Sequence, residues 1–112
     1  MRKLSLTAAA AVAVAAVAVP AFAATRTVRV GDNYFVRKGS PPTITVKRGT
    51  VVRWVWTGKS AHNVTVKRGP VKFASKTQTH GAFSRKLTRK GTYSIVCTIH
   101  QALGQKMTLK VV

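Results

Sequence analysis

The sequence predicts an all-β domain, a Greek-key β-sandwich of about seven to eight short strands. Three observations predict it. Beyond residue 24, short runs rich in Val, Ile, Thr and aromatic residues alternate apolar with polar side chains. Turns containing glycine separate these runs at short, regular intervals. No segment of that region sustains a helical period.

The first stretch stands apart. Arg2 and Lys3 form a basic head, residues 4–19 are an apolar run dominated by Ala and Val, and Pro20 precedes Ala21-Phe22-Ala23, a small-x-small pattern. This is the layout of a secretory signal peptide, residues 1–23, cleaved after Ala23. The competing reading is a retained anchor, because residues 4–24 are about long enough to cross a bilayer. The small residues and the cleavage pattern favour removal. The 112-residue chain less these 23 leaves one 89-residue domain, 24–112.

Within it the expected strands are 25–30, 43–47, 50–57, 62–67, 82–87, 92–97 and 106–112, with 71–74 as a weaker candidate. In the third, Val52, Trp54 and Trp56 share one face while Arg53 and Val55 share the other. In the last, Met107, Leu109 and Val111 face one way and Thr108 and Lys110 the other. Arg37-Lys38-Gly39, Lys47-Arg48-Gly49, Lys67-Arg68-Gly69 and Arg89-Lys90-Gly91 repeat one turn pattern. Glycine is expected to supply the positive φ of a tight turn while the two cations stay in water.

The chain has 20 Lys or Arg against one acidic residue, a net charge of +19; without Arg2 and Lys3, 18 cations face Asp32, leaving +17. So basic a surface attracts acidic protein partners, anionic cell-envelope polymers, anionic lipid or nucleic acid. Export argues against nucleic acid, and so does the core-facing parity of Trp54 in the one candidate stacking segment, Arg53-Trp54-Val55-Trp56. A single carboxylate excludes paired-carboxylate catalysis within the chain. No catalytic dyad, triad or phosphate-binding glycine loop is present, so no enzyme is expected. The lone cysteine, Cys97, can form no internal disulfide. Small exported domains usually need a staple, and the only candidate here is a metal.

The informative segment is Gly91-Thr92-Tyr93-Ser94-Ile95-Val96-Cys97-Thr98-Ile99-His100. Alternation puts Tyr93, Ile95 and Cys97 on the inward face, so the thiol lies at the rim of the apolar core, and His100 follows in the loop. His62 opens another strand. Two imidazoles and one thiolate are the trigonal set of a copper electron-transfer site. Each residue alone has a plainer reading: a buried inert thiol, a loop histidine, a chance Cys-x-x-His. Their conjunction in an exported, all-β, single-cysteine chain carries the assignment. His80, in the 75–81 loop, is expected to be an exposed loop residue.

Gly49-x-x-Val52-x-Trp54, then Ala61-His62-Asn63-Val64, and Gly91-Thr92-Tyr93-x-x-x-Cys97-x-x-His100 resemble the cupredoxin family, in particular the plastocyanin- and amicyanin-like blue copper proteins. The resemblance covers most of residues 24–112. It implies an eight-stranded sandwich holding one copper ion, Cu(I) or Cu(II), through His62, Cys97 and His100. It also implies that Asn63 ties the two ligand loops together. The protein is then expected to be a monomeric, periplasmic or extracellular one-electron carrier with acidic redox partners. Ala102 and Leu103 would form an apolar patch beside His100. Trp56 departs from the resemblance, standing where many relatives have Asn. The weak axial ligand, usually methionine, falls on Leu103 by amicyanin-like spacing and on Gln105 by plastocyanin-like spacing; Met107 lies farther on, facing the core. His100-Gln101-x-x-Gly104-Gln105 tracks the plastocyanin loop best, so Gln105, through its amide oxygen, is the expected axial ligand. A copper-delivery protein using the same site, or a cationic envelope-binding sandwich, are the alternatives.

Overall fold

A computed structural model describes residues 24–112, and the expected signal peptide lies outside the described residues. The described chain folds into eight strands: β1 Thr25–Gly31, β2 Tyr34–Phe35, β3 Thr43–Val46, β4 Val51–Trp56, β5 Thr65–Arg68, β6 Ala82–Lys86, β7 Gly91–Val96 and β8 Lys106–Val111. They form two four-stranded sheets, ordered β2-β1-β4-β6 and β3-β8-β7-β5. Each sheet contains one parallel pair between strands distant in sequence, β1 with β4 and β3 with β8, and its other pairs are antiparallel. The all-β sandwich expected from the alternation is what forms.

Its cause is visible strand by strand. Val52, Trp54 and Trp56 of β4, Tyr93 and Ile95 of β7, and Met107, Leu109 and Val111 of β8 all point inward and are buried. Their neighbours Arg53, Thr92, Lys106 and Lys110 are exposed. Period-two sequence on each strand thus becomes one shared apolar layer between the sheets. Trp54 packs on Phe83, ring centroids 5.8 Å apart, and on Phe73 at 6.1 Å, while Tyr93 meets Phe73 at 6.3 Å. The Tyr93 hydroxyl donates to the Arg89 carbonyl at 2.8 Å, which settles the one polar atom of that ring.

Four local expectations change. The strand expected at 62–67 starts only at Thr65. His62 forms only an isolated backbone bridge with Gln78, and the Val64 N–H donates to Ser75 Oγ at 2.9 Å, so a side chain takes the ladder position that would join this bridge to the strand. The 71–74 candidate contributes one bridge, Ala74 to Thr65, and no strand. The two-residue β2 and a short 3-10 turn at Gln101–Leu103 were not expected from the pattern. Finally, Gly39, Gly49 and Gly91 have the positive φ their turns require, but Gly69 does not. Gly69 is small for a different reason: a Cβ there would sit 2.8 Å from Cδ2 of Tyr93.

Candidate metal centre

The loops at one end of the sandwich bring three donor side chains together. Cys97 follows β7 directly and is fully buried, with its N–H donating to the Gln105 carbonyl at 3.1 Å. A tight turn brings the His100 N–H to the Cys97 carbonyl at 3.2 Å. The chain then makes the Gln101–Leu103 turn, reverses at Gly104 with φ 92°, and returns so that the Gln105 N–H meets the His100 carbonyl at 3.2 Å. Glycine is needed at that left-handed residue. His62 comes from the other direction, from the segment between β4 and β5. The indole N–H of Trp56 donates to its carbonyl at 3.2 Å.

His62, Cys97 and His100 present donor atoms that all lie within 4.8 Å of one another. The Nδ1 atoms of His62 and His100 are 3.1 Å apart, and Cys97 Sγ is 3.7 Å from His100 Nδ1. These separations suit a metal ion. Metal–imidazole bonds of about 2.0 Å meeting at about 100° place two nitrogens about 3.1 Å apart, and a thiolate bond of about 2.3 Å at about 120° to the His100 bond reproduces the separation of Cys97 from His100. One soft sulfur and two imidazoles is a donor set that selects copper.

Asn63 joins the two loops. Its Nδ2 donates to Thr98 Oγ1 at 2.8 Å and to Thr77 Oγ1 at 3.1 Å; its Oδ1 accepts the Thr98 N–H at 3.1 Å and the Thr65 hydroxyl at 2.8 Å. Gln105 is fully buried, and its amide nitrogen donates to the Gly31 carbonyl at 2.9 Å and the Tyr34 carbonyl at 3.1 Å. Its Oε1 has no hydrogen-bond partner, an unusual state for a buried amide oxygen. Met107 lies one pleat deeper, opposite Ile95 in the ladder and inside the apolar core. Leu103 is 65% exposed and faces solvent, together with Ala102 and with Ile99 at 54%. Ile99 was missed by the reading of the apolar patch. His80 is exposed and lies apart from the donor cluster, with Nδ1 3.2 Å from Thr79 Oγ1.

Asp32 is the other residue that sequence reasoning missed. It sits in the turn between β1 and β2, and its Oδ1 is 2.8 Å from Nε2 of His62. That hydrogen bond, with those from the backbone N–H groups of Ser60 and Lys59, holds its carboxyl well below the usual carboxylate range. Burial acts weakly in the opposite direction. The signal that pointed to it was its singularity, the one acid in a chain of cations.

Known proteins bear on this geometry. The chain resembles a purple cupredoxin from Nitrosopumilus maritimus at 16% identity, covering 78% of this chain and 99% of that one with a TM-score of 0.65. It resembles a methionine-to-glutamine variant of amicyanin in its Cu(I) form at 23% identity, covering 79% and 82% with a TM-score of 0.63. A copper-containing nitrite reductase from Thermus scotoductus SA-01 matches at 25% identity and a TM-score of 0.64, covering 90% of this chain but only 25% of the enzyme. The profile described as copper binding proteins, plastocyanin/azurin family, matches residues 25–112, a span that includes the whole donor cluster and both sheets. The chain therefore belongs to the plastocyanin/azurin family of copper-binding proteins, the cupredoxins.

Proposed function

We propose that the protein is an exported one-electron carrier, its single copper ion held by His62 Nδ1, Cys97 Sγ and His100 Nδ1, with Gln105 Oε1 at the axial position. The observation that carries this reading is the convergence of one buried thiol and two imidazole nitrogens within 4.8 Å at the end of a rigid sandwich. Copper bound there supplies one-electron chemistry by passing between Cu(I) and Cu(II).

The chain's own residues do the rest. Cys97 and His62 are fully buried and shield the centre from water. His100 is partly exposed and offers the edge through which an electron would leave or enter. Ile99, Ala102 and Leu103 around it form an apolar contact that a partner can cover without desolvating charge. The cationic turns favour encounter with acidic partners or anionic envelope polymers. Gln105 keeps its amide nitrogen on two backbone carbonyls, which leaves its oxygen free for a metal. Export rests on residues 1–23 and accords with a thiol used for metal in place of a disulfide. No helix among the described residues is long and apolar enough to cross a membrane.

The test is a visible spectrum of the exported protein loaded with copper, followed by redox titration. An intense thiolate-to-copper band that bleaches reversibly with one electron is expected. Cys97→Ala and Cys97→Ser should both abolish it, because a hydroxyl is a poor substitute for thiolate; full colour in either variant would overturn the ligand set. A copper-delivery role for the same site is distinguished by rapid transfer of the ion to a competing thiol chelator.

A further inference from the structure

The only acidic side chain of a +19 chain lies against one of the proposed ligands, on the side of the ring away from His100. His62 has two ring nitrogens with separate tasks. Nδ1 faces His100 and the cluster; Nε2 faces Asp32 Oδ1 at 2.8 Å. A carboxylate can only accept, so the proton of a neutral His62 belongs on Nε2, and the lone pair on Nδ1 is left for the cluster.

The carboxylate is itself held. Lys59 N–H donates to Oδ1 at 3.0 Å and to Oδ2 at 3.1 Å, and Ser60 N–H donates to Oδ1 at 3.0 Å. The approach needs room, and Gly58 supplies it: a Cβ there would overlap Oδ1 and lie 2.8 Å from the Asp32 nitrogen. The β1–β2 turn is thus fastened to the loop leading into His62, and the fastening point is the ligand's own partner.

We propose that Asp32 is a positioning residue that fixes the tautomer of His62 and whose negative charge, relayed through the imidazole, favours Cu(II) over Cu(I). The inference rests on His62 being a copper ligand. An anion hydrogen-bonded to Nε2–H makes the ring a better donor at Nδ1, and a dipositive ion gains more from that than a monopositive one. In a domain whose other charged side chains outside the ligand set are all cations, it is also the only carboxylate that, beside the Cys97 thiolate, opposes the repulsion of Cu(II).

Asp32→Asn keeps the size of the side chain and an acceptor oxygen while removing the charge; Asp32→Ala removes both. Gly58→Ala gives an independent variant that retains Asp32 but displaces its carboxylate. Affinities for Cu(II) and Cu(I) would be measured by chelator competition, potentials by titration, and the His62 tautomer by nitrogen-15 NMR of the metal-free protein. Removing such an outer partner typically costs about 10- to 100-fold in metal affinity. With Cu(I) affinity little changed, Asp32→Asn should raise the potential by about 59 mV for each tenfold lost. Metal-free wild type should show the Nε2–H form, and Asp32→Ala a mixture. A Cu(II)-to-Cu(I) affinity ratio unchanged in both Asp32→Asn and Gly58→Ala would overturn the proposal, as would an Nδ1–H tautomer in the metal-free wild type. A wild-type protein that develops no thiolate–copper band would sink the copper reading itself and this inference with it, a failure seen before any variant is compared.

Discussion

Replacing Gln105 with Met tests the axial position most directly, because the side chain's two ends have different fates. The amide nitrogen makes two hydrogen bonds, to Gly31 O at 2.9 Å and Tyr34 O at 3.1 Å, while Oε1 is buried without a partner. Losing the two bonds costs about 2 kcal/mol at about 1 kcal/mol each. In the metal-free protein that loss is offset, since an unpartnered buried oxygen worth about 1–3 kcal/mol of desolvation disappears with it. In the oxidised copper form Oε1 would already be satisfied, so there the full loss stands. The cycle closes on a weakening of Cu(II) binding by about 2 kcal/mol, or about 30-fold. A thioether suits Cu(I) at least as well as an amide does, so the potential should rise by about 80 mV or more, at 59 mV per tenfold. Calorimetry should find the oxidised form melting about 8–16 °C lower, at 4–8 °C per kcal/mol, and the metal-free form changed much less. Equal melting losses in both forms with an unmoved potential would refute this reasoning. So would a copper spectrum altered by Met107→Leu and untouched by Gln105→Met.

Asn63→Ala removes four hydrogen bonds and strands the Thr98 N–H, at a cost of about 2–3 kcal/mol. Copper should leave this variant faster than wild type with little change in the wavelength of its band, and stopped-flow chelator displacement reads that rate; an unchanged rate would mean that Asn63 does not hold the ligand loops together. Mass spectrometry of the exported product should find Ala24 as its first residue, whereas an intact N-terminus in the membrane fraction would favour the anchor reading of residues 1–23.

Strand faces were legible because alternation is a local property: Val52, Trp54 and Trp56, or Met107, Leu109 and Val111, need only their own strand to declare the buried side. The pairings were not. The parallel register of Thr25 with Val51, or of Thr43 with Thr108, depends on which strand a distant part of the chain supplies. The donor trio was legible because cysteine and histidine are few: Cys97 closes a strand pattern, His62 opens one, and His100 follows Cys97 in the loop. Asp32 was not, since no spacing rule links it to a histidine 30 residues on, and a turn aspartate is ordinarily just a turn residue. The 62–64 segment misled the strand reading because its alternating pattern serves side-chain hydrogen bonds there, with Asn63 bonding across the loops and Ser75 Oγ taking the Val64 N–H.

The tethers also weigh carrier against delivery. Every donor is fixed by protein contacts that do not pass through the metal: His62 by Asp32 and Trp56, Cys97 by its ladder bond to Gln105, His100 by the turn back to Cys97, and the loops to each other by Asn63. Gln105 is anchored to the β1–β2 hairpin in the opposite sheet. Such a scaffold holds one donor geometry whatever the charge at its centre, which keeps the reorganisation on gaining or losing an electron small. Delivery asks for the reverse, since an incoming ligand must displace His62, Cys97 and His100 in turn, and the first two are fully buried. An electron needs only one exposed edge. His100, ringed by Ile99, Ala102 and Leu103, is the one donor that offers it.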